Sequence, residues 1–128
     1  MRANQRPLSP FMIGPYYRPQ LTSVMSIAHR ASGVFLSIVG APFLLWWVSA
    51  VSGGPAAFQA LQAWFSGWLG KIALIACLLS LAYHLFNGIR HLVWDTGRAL
   101  DIRSAYTAGW LVLIATALLT AVLLGLLL

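Results

Sequence analysis

A chain of 128 residues that is 60% hydrophobic and only 8% charged has too few polar groups to cover a soluble domain, and it reads as one small integral membrane domain. Its formal net charge of +6 does not point to nucleic acid, because the arginines are scattered beside apolar spans, where they read as topology and headgroup charges. The single cysteine, Cys77, excludes a disulfide within the chain and reads as a small buried apolar residue.

Residues 1–21 form an amino-terminal segment with Arg2, Arg6, Arg18 and four prolines, and lack the apolar core of a cleavable signal. The lack of a longer Arg- and Ser-rich leader favours a bacterial inner membrane over a mitochondrial one. A first transmembrane helix is expected over about residues 22–52, since Ala31 to Val51 carries no charge and Thr22 or Ser23 can serve as N-cap. On it Ser26, His29, Arg30 and Gly33 recur at i, i+3, i+4 and i+7, and Ser37 and Gly40 extend this polar, small face. Pro42 deprives the Ile38 carbonyl of its donor and is expected to bend the helix. Ser52-Gly53-Gly54-Pro55 ends the span, and Ala56 to Trp68, with Trp64, Phe65 and Trp68, reads as an amphipathic interfacial segment.

Second and third spans are expected over about 69–94 and 105–128, joined by Asp95 to Ser104. Each has the roughly 20 residues that about 30 Å of hydrocarbon requires. On the third, Ala108, Gly109, Thr116, Thr120 and Gly125 suit close helix packing. The fold class is therefore all-α: a single membrane domain over residues 1–128 with three transmembrane helices. Arginines precede the first helix and surround the second connection, whereas the first connection has only Lys71 at its edge, which places the amino terminus inside and the carboxyl terminus outside.

The second span carries the most polar feature of the chain, His84-Leu85-Phe86-Asn87-Gly88-Ile89-Arg90-His91. His84, Asn87, Gly88, His91 and Asp95 are expected on one face, with Gly88 removing bulk beside His84 so that a flat cofactor could lie there. His84 lies about 15 Å above Trp94, deep in the bilayer, where a neutral imidazole needs partners; only Ser80 and Asn87 are near in sequence. Asn87, Arg90 and His91 are positioned to supply donors to haem propionates. The stripes of the first and second helices approach the same leaflet, and two cationic stripes call for something anionic or accepting between them, a propionate or a quinone carbonyl. Lipid-directed snorkelling by Arg30, Arg90 and His91 is the alternative. His29 and His91 lie too near the inner surface to share an iron with His84, so a second axial ligand is expected from another chain.

Two motifs carry a resemblance to a known family. The first is Arg6-Pro7-Leu8-Ser9-Pro10 followed by Gln20-Leu21-Thr22-Ser23-Val24-Met25-Ser26-Ile27-Ala28-His29-Arg30-Ala31-Ser32-Gly33; the second runs from His84 through Arg90-His91-Leu92-Val93-Trp94-Asp95-Thr96-Gly97. With three spans they resemble the cytochrome b membrane-anchor subunit of succinate dehydrogenase. Phe11, where many relatives have histidine, and the stretch Gly14 to Pro19 depart from the pattern. The resemblance implies that His84 is an axial ligand of haem b, the second coming from a companion anchor subunit. It implies that Ser26 and Arg30 line a ubiquinone site with Ile27 in its apolar wall, and that His29, Arg30 and His91 lie near the haem propionates. It also implies flavoprotein and iron–sulfur partners on the inner face. The fumarate reductase anchor, and a non-redox transport or assembly protein whose arginines bind headgroups, are the alternatives.

Overall fold

The computed structural model describes residues 18–127. The readings that fall on residues 1–17, among them Arg2, Arg6, the Arg6 to Pro10 motif and Phe11, lie outside the described residues. Three helical runs are long and apolar enough to cross a membrane: Leu21–Ser52, Trp68–Asp95 and Ile102–Leu127.

The first run is composite. Helix α1 (Leu21–Phe35) passes through a π turn (Leu36–Gly40) into α2 (Ala41–Ser52). Gln20, in extended backbone, is its N-cap, and the Gln20 carbonyl accepts from Ser23 and Val24 at 3.0 and 3.1 Å. Thr22 and Ser23 therefore sit inside the first turn instead of capping it. The π turn is the local answer to Pro42. The Ala41 N–H reaches back five residues to the Leu36 carbonyl, so the ladder widens by one residue just before the proline.

Gly54, at φ 89°, turns the chain into α3 (Pro55–Ser66), and Pro55 occupies the first helical turn, where no donor is needed. Phe43 and Trp46 of α2 meet Trp64 and Phe65 of α3 at ring separations of 4.9 to 6.2 Å, in two edge-on, one tilted and one stacked pair, which fastens α3 to the end of the first span. Helix α4 (Trp68–Asp95) follows after Gly67 alone. At Gly70 the two helices touch backbone to backbone: a Cβ there would strike the Trp64 carbonyl and lie 2.6 Å from Phe65 Cα.

Helix α5 (Ile102–Leu127) packs on α4 and α1 through Gly109, Val112, Thr116 and Thr120. Met25 Sδ would lie 3.0 Å from a Cβ added at Gly109, so glycine sets this approach. Gly125, expected to suit close helix packing, is exposed, and a Cβ there would meet nothing within 4 Å. Five residues beyond Thr120 turn it about 140° off the packed stripe. The outer surface is apolar, as in Ile27, Leu85, Leu111 and Leu126. The buried set includes Asn87, Arg90, Thr116 and Thr120 beside Met25, Ala82 and Val112.

The second connection is held by side chains. Trp94 Nε1 donates to the Ala99 carbonyl at 3.0 Å, and Ala99 adopts φ 56°, unfavourable for a residue with a Cβ. Asp101 then caps α5: its Oδ2 accepts from the Ser104 N–H at 2.9 Å and its carbonyl from the Ala105 N–H at 2.9 Å, so the helix begins at Ile102, three residues before Ala105. The same bonds to Ser104 hold the Asp101 carboxyl below its ordinary value. A depressed carboxylate stabilises the fold above its ordinary pKa, and that contribution disappears as pH falls through the lowered value. The protection of the Ser104 amide, its exchange rate taken relative to the intrinsic rate at the same pH, should fall in Asp101→Ala, stay near wild type in Asp101→Asn, which keeps an acceptor, and fall in the wild type only at strongly acidic pH.

Candidate functional site

The polar residues of α1 and α4 meet in the half of the molecule nearest Arg18 and the second connection. His84 leans out of α4 onto α1. Its Nδ1 lies 3.2 Å from the His29 carbonyl and 3.2 Å from Ser32 Oγ, and Ser32 Oγ itself donates to the His29 carbonyl at 2.8 Å. A carbonyl only accepts, so the proton sits on Nδ1 and the Nε2 lone pair is left free. Sequence neighbours do not hold the ring: Asn87 is engaged elsewhere, and the partners come from the facing helix. Ser32 was part of the first motif but had no assigned role. Its spacing one turn beyond His29 was the available signal.

The glycine that admits His84 is Gly33 of α1. A Cβ at Gly33 would lie 2.8 Å from His84 Cε1, whereas one at Gly88 would make ordinary contact with His29 Cε1 at 3.7 Å. The expected role of Gly88 beside His84 is thus corrected. Helical side chains lean toward the N-terminus, which carries the His84 ring away from the turn containing Gly88.

His29 was expected to lie too near the inner surface to share an iron with His84. The structure brings the two rings together as a stack, with centroids 4.0 Å apart and planes 9° from parallel. Stacked face to face at this distance, the two rings cannot approach one metal from opposite sides. His91 is tilted against His29 at 5.1 Å, and His29 Nδ1 is buried with no hydrogen-bond partner among the described residues.

Arg90 does not join this row. It is 5% exposed, and Asn87 beside it is fully buried. Arg90 Nη2 donates to the Ala105 carbonyl of α5 at 2.9 Å, Nη1 to Asn87 Oδ1 at 3.3 Å with Met25 Sδ of α1 at 3.9 Å, and the guanidinium carbon stands 4.0 Å over the Trp94 ring. A desolvated stack of this kind contributes about 2 kcal/mol. Neither snorkelling nor donation alongside His91 describes it. Arg90 and His91 are successive residues about 100° apart around the helix, so they serve different neighbours. Arg90 thus leaves the facing stripes, while His84 and His91 still meet His29 there.

On the other side of the His29 row lies a cleft of about 360 Å³, lined by Thr22, Ser23, Ser26, Ile27 and Arg30 of α1 and by His91 and Trp94 of α4. It brings together Ser26, Ile27, Arg30 and His91 from the sequence reading and adds Trp94. Arg30 Nε donates to the Ser26 carbonyl at 3.3 Å, folding the guanidinium back toward the cleft. Ser32, Ser37, Ser49, Ser52 and Ser66 all bond carbonyls of their own helices. Ser26 makes no such bond among the described residues, which leaves its hydroxyl available. The exposed Ile27 and Arg30 also border a shallower depression of about 590 Å³ with Ala31, Val34 and Phe35, so the cleft opens along α1 toward the apolar surface.

A profile described as the succinate dehydrogenase/fumarate reductase transmembrane subunit matches residues 2–123. The chain is 38% identical over 120 residues to the succinate dehydrogenase cytochrome b556 subunit of Rickettsia typhi, covering 94% of this chain and 91% of that protein. It is 37% identical to the b556 subunit of Paracoccus denitrificans, covering 92% and 88%, and 36% identical to the cytochrome b560 subunit of Marchantia polymorpha, covering 89% and 85%.

Tyr83, which the sequence reading passed over, ties α4 to α1 by donating to the Met25 carbonyl at 2.7 Å. Tyr83→Phe removes that bond and little volume. Reversible unfolding in detergent should show a loss of about 0.5 to 1.5 kcal/mol.

Proposed function

We propose that this chain, which belongs to the succinate dehydrogenase/fumarate reductase transmembrane subunit family, is an anchor that binds haem b jointly with a second anchor subunit and builds part of a ubiquinone-reduction site. The chain is a multi-pass membrane protein and a non-catalytic subunit of the succinate dehydrogenase complex. Succinate is oxidised on other subunits. The basic end, with Arg18, Arg30, Arg98 and Arg103, faces the inside of a bacterial cytoplasmic membrane, opposite Lys71. The amino terminus is then cytoplasmic, and the iron–sulfur and flavoprotein subunits dock on that face. Residues 1–128 act as one anchor domain.

The observation that carries this reading is His84, an imidazole in a membrane helix with Nδ1 tied to the His29 carbonyl and Ser32 and with Nε2 free. Metal-ligating histidines are held through their second nitrogen in this way. One histidine does not hold a bare ion, but it would suffice for an iron whose remaining ligands come largely from a porphyrin. The residues present therefore fit a haem. His84 would ligate the iron, Gly33 leaves room for its ring, and the unpaired His29 Nδ1, with Arg30 and His91, would offer donors to propionates. Because the His29 ring is stacked on His84, a second histidine ligand would come from the companion anchor. When bound, haem b supplies a one-electron couple within the membrane.

For the quinone, the support is the cleft with an uncommitted hydroxyl beside a guanidinium. Ser26 donates to a quinone carbonyl, and Arg30 offsets negative charge developing on that oxygen as electrons arrive from the iron–sulfur subunit. Ile27 packs against the ring and excludes water, which strengthens both interactions. The opening toward Val34 and Phe35 leads to the bilayer, from which an apolar quinone enters.

Two experiments on the assembled complex test the reading. His84→Ala should abolish haem binding, and Gly33→Ala, whose methyl forces the His84 ring to turn, should retain a haem with shifted low-spin absorption and resonance spectra. Unaltered spectra in both variants would refute ligation by His84. Ser26→Ala should slow quinone reduction or weaken quinone affinity by a few-fold for a neutral bond and by about tenfold or more for a charged oxygen, with rates normalised to dye-coupled succinate oxidation. Unchanged quinone kinetics would remove Ser26 from the site.

A further inference from the structure

We infer that Arg90 is a positioning residue for quinone reduction: it fixes the Trp94 indole as the rigid wall of the cleft containing Ser26 and Arg30. This rests on the reading of that cleft as the quinone site.

Arg90 is a charge held inside a membrane span, 5% exposed, and no described carboxylate pairs with it. Its polar partners are neutral, the Ala105 carbonyl and Asn87 Oδ1, and its Nε has none among the described residues. Joining α4 to α5 at one carbonyl needs only a neutral donor. What a guanidinium adds is a flat cation, and that cation is spent on the Trp94 face at 4.0 Å.

Trp94 is then held on three sides. Arg90 covers its face, the Ala99 carbonyl takes its N–H at 3.0 Å, and the His91 ring meets it edge-on at 5.2 Å and 86°. The same indole borders both the cleft of Ser26, Arg30 and His91 and the groove of about 240 Å³ between α4 and α5. It is the partition between them. Released from Arg90, the ring could swing into that groove and widen the cleft, so that a quinone ring would bind in more than one pose. Because Arg90 also reaches Ala105, at the start of α5, the width of the cleft is coupled to the packing of a helix that does not line it.

The test uses the assembled complex, a short-chain ubiquinone analogue, and rates normalised to dye-coupled succinate oxidation. Arg90→Gln keeps a donor for Ala105 but loses the cation over Trp94, and should raise the KM for quinone by about five- to tenfold with a smaller change in kcat. Arg90→Lys restores a cation and should recover a substantial part of that loss. On a Trp94→Leu background, Arg90→Gln should add less than about twofold, since there is no indole left to hold. Fully additive effects, or an unchanged KM in Arg90→Gln, would overturn the inference. So would a parallel loss of haem and assembled complex in Arg90→Gln, Arg90→Lys and Trp94→Phe, which would make Arg90 inter-helix glue alone. Ser26→Ala run alongside separates the two readings: if it alters quinone kinetics while the Arg90 series does not, the site stands and only the positioning role fails.

Discussion

In hydrocarbon, a polar atom without a partner costs more than a loosely packed methyl group, and this constraint orders the chain from the inside out. Leucines and isoleucines cover the surface because lipid accepts them as readily as a protein core would. The interior is given to groups that must find each other: Tyr83 to the Met25 carbonyl, His84 to Ser32 and the His29 carbonyl, and Arg90 to Asn87 and the Ala105 carbonyl. These bonds all cross between helices or brace a residue that does. They act where the hydrophobic effect, the usual driving force, is weak.

The three ties divide one bundle into three environments. Tyr83 and Arg90 draw α4 against α1 and α5, and Gly109 lets Met25 come close enough to complete that contact. With those faces fixed, His84 leans on α1 at the His29 carbonyl and ring, the Ser32 hydroxyl and Gly33, which orients the free Nε2. The residues left on the shoulder, Ser26, Arg30 and His91, cannot close on one another and leave a cleft. Packing on one side of α4 thereby determines the opening on the other.

Around His84 and Arg90, where the sequence reading and the structure part, the cause is angular. A single-residue step turns a helical side chain through about 100°, enough to separate Arg90 from His91 and to send one into the bundle and the other to the cleft. The lean of side chains toward the helix N-terminus likewise makes Gly33, across the interface, the glycine that matters to His84, while Gly88 one turn below it is spared. Periodicity assigns residues to a stripe but does not say which neighbour each edge of the stripe will meet.

Composition and hydropathy by themselves determined an all-α membrane chain with three spans, since uncharged runs of sufficient length have few other stable forms in a bilayer. The motifs around His29 and His84 also singled out the residues that converge, because a histidine or arginine within such a run demands a partner. Only the tertiary structure decided who those partners are. The stacking of His29 on His84, the Ser32 contact, the burial of Arg90 over Trp94 and the free hydroxyl of Ser26 depend on how α1, α4 and α5 are rotated about their own axes. That rotation is set by contacts between residues 15 to 65 positions apart, such as Arg90 with Ala105 and with Met25, which no local pattern encodes.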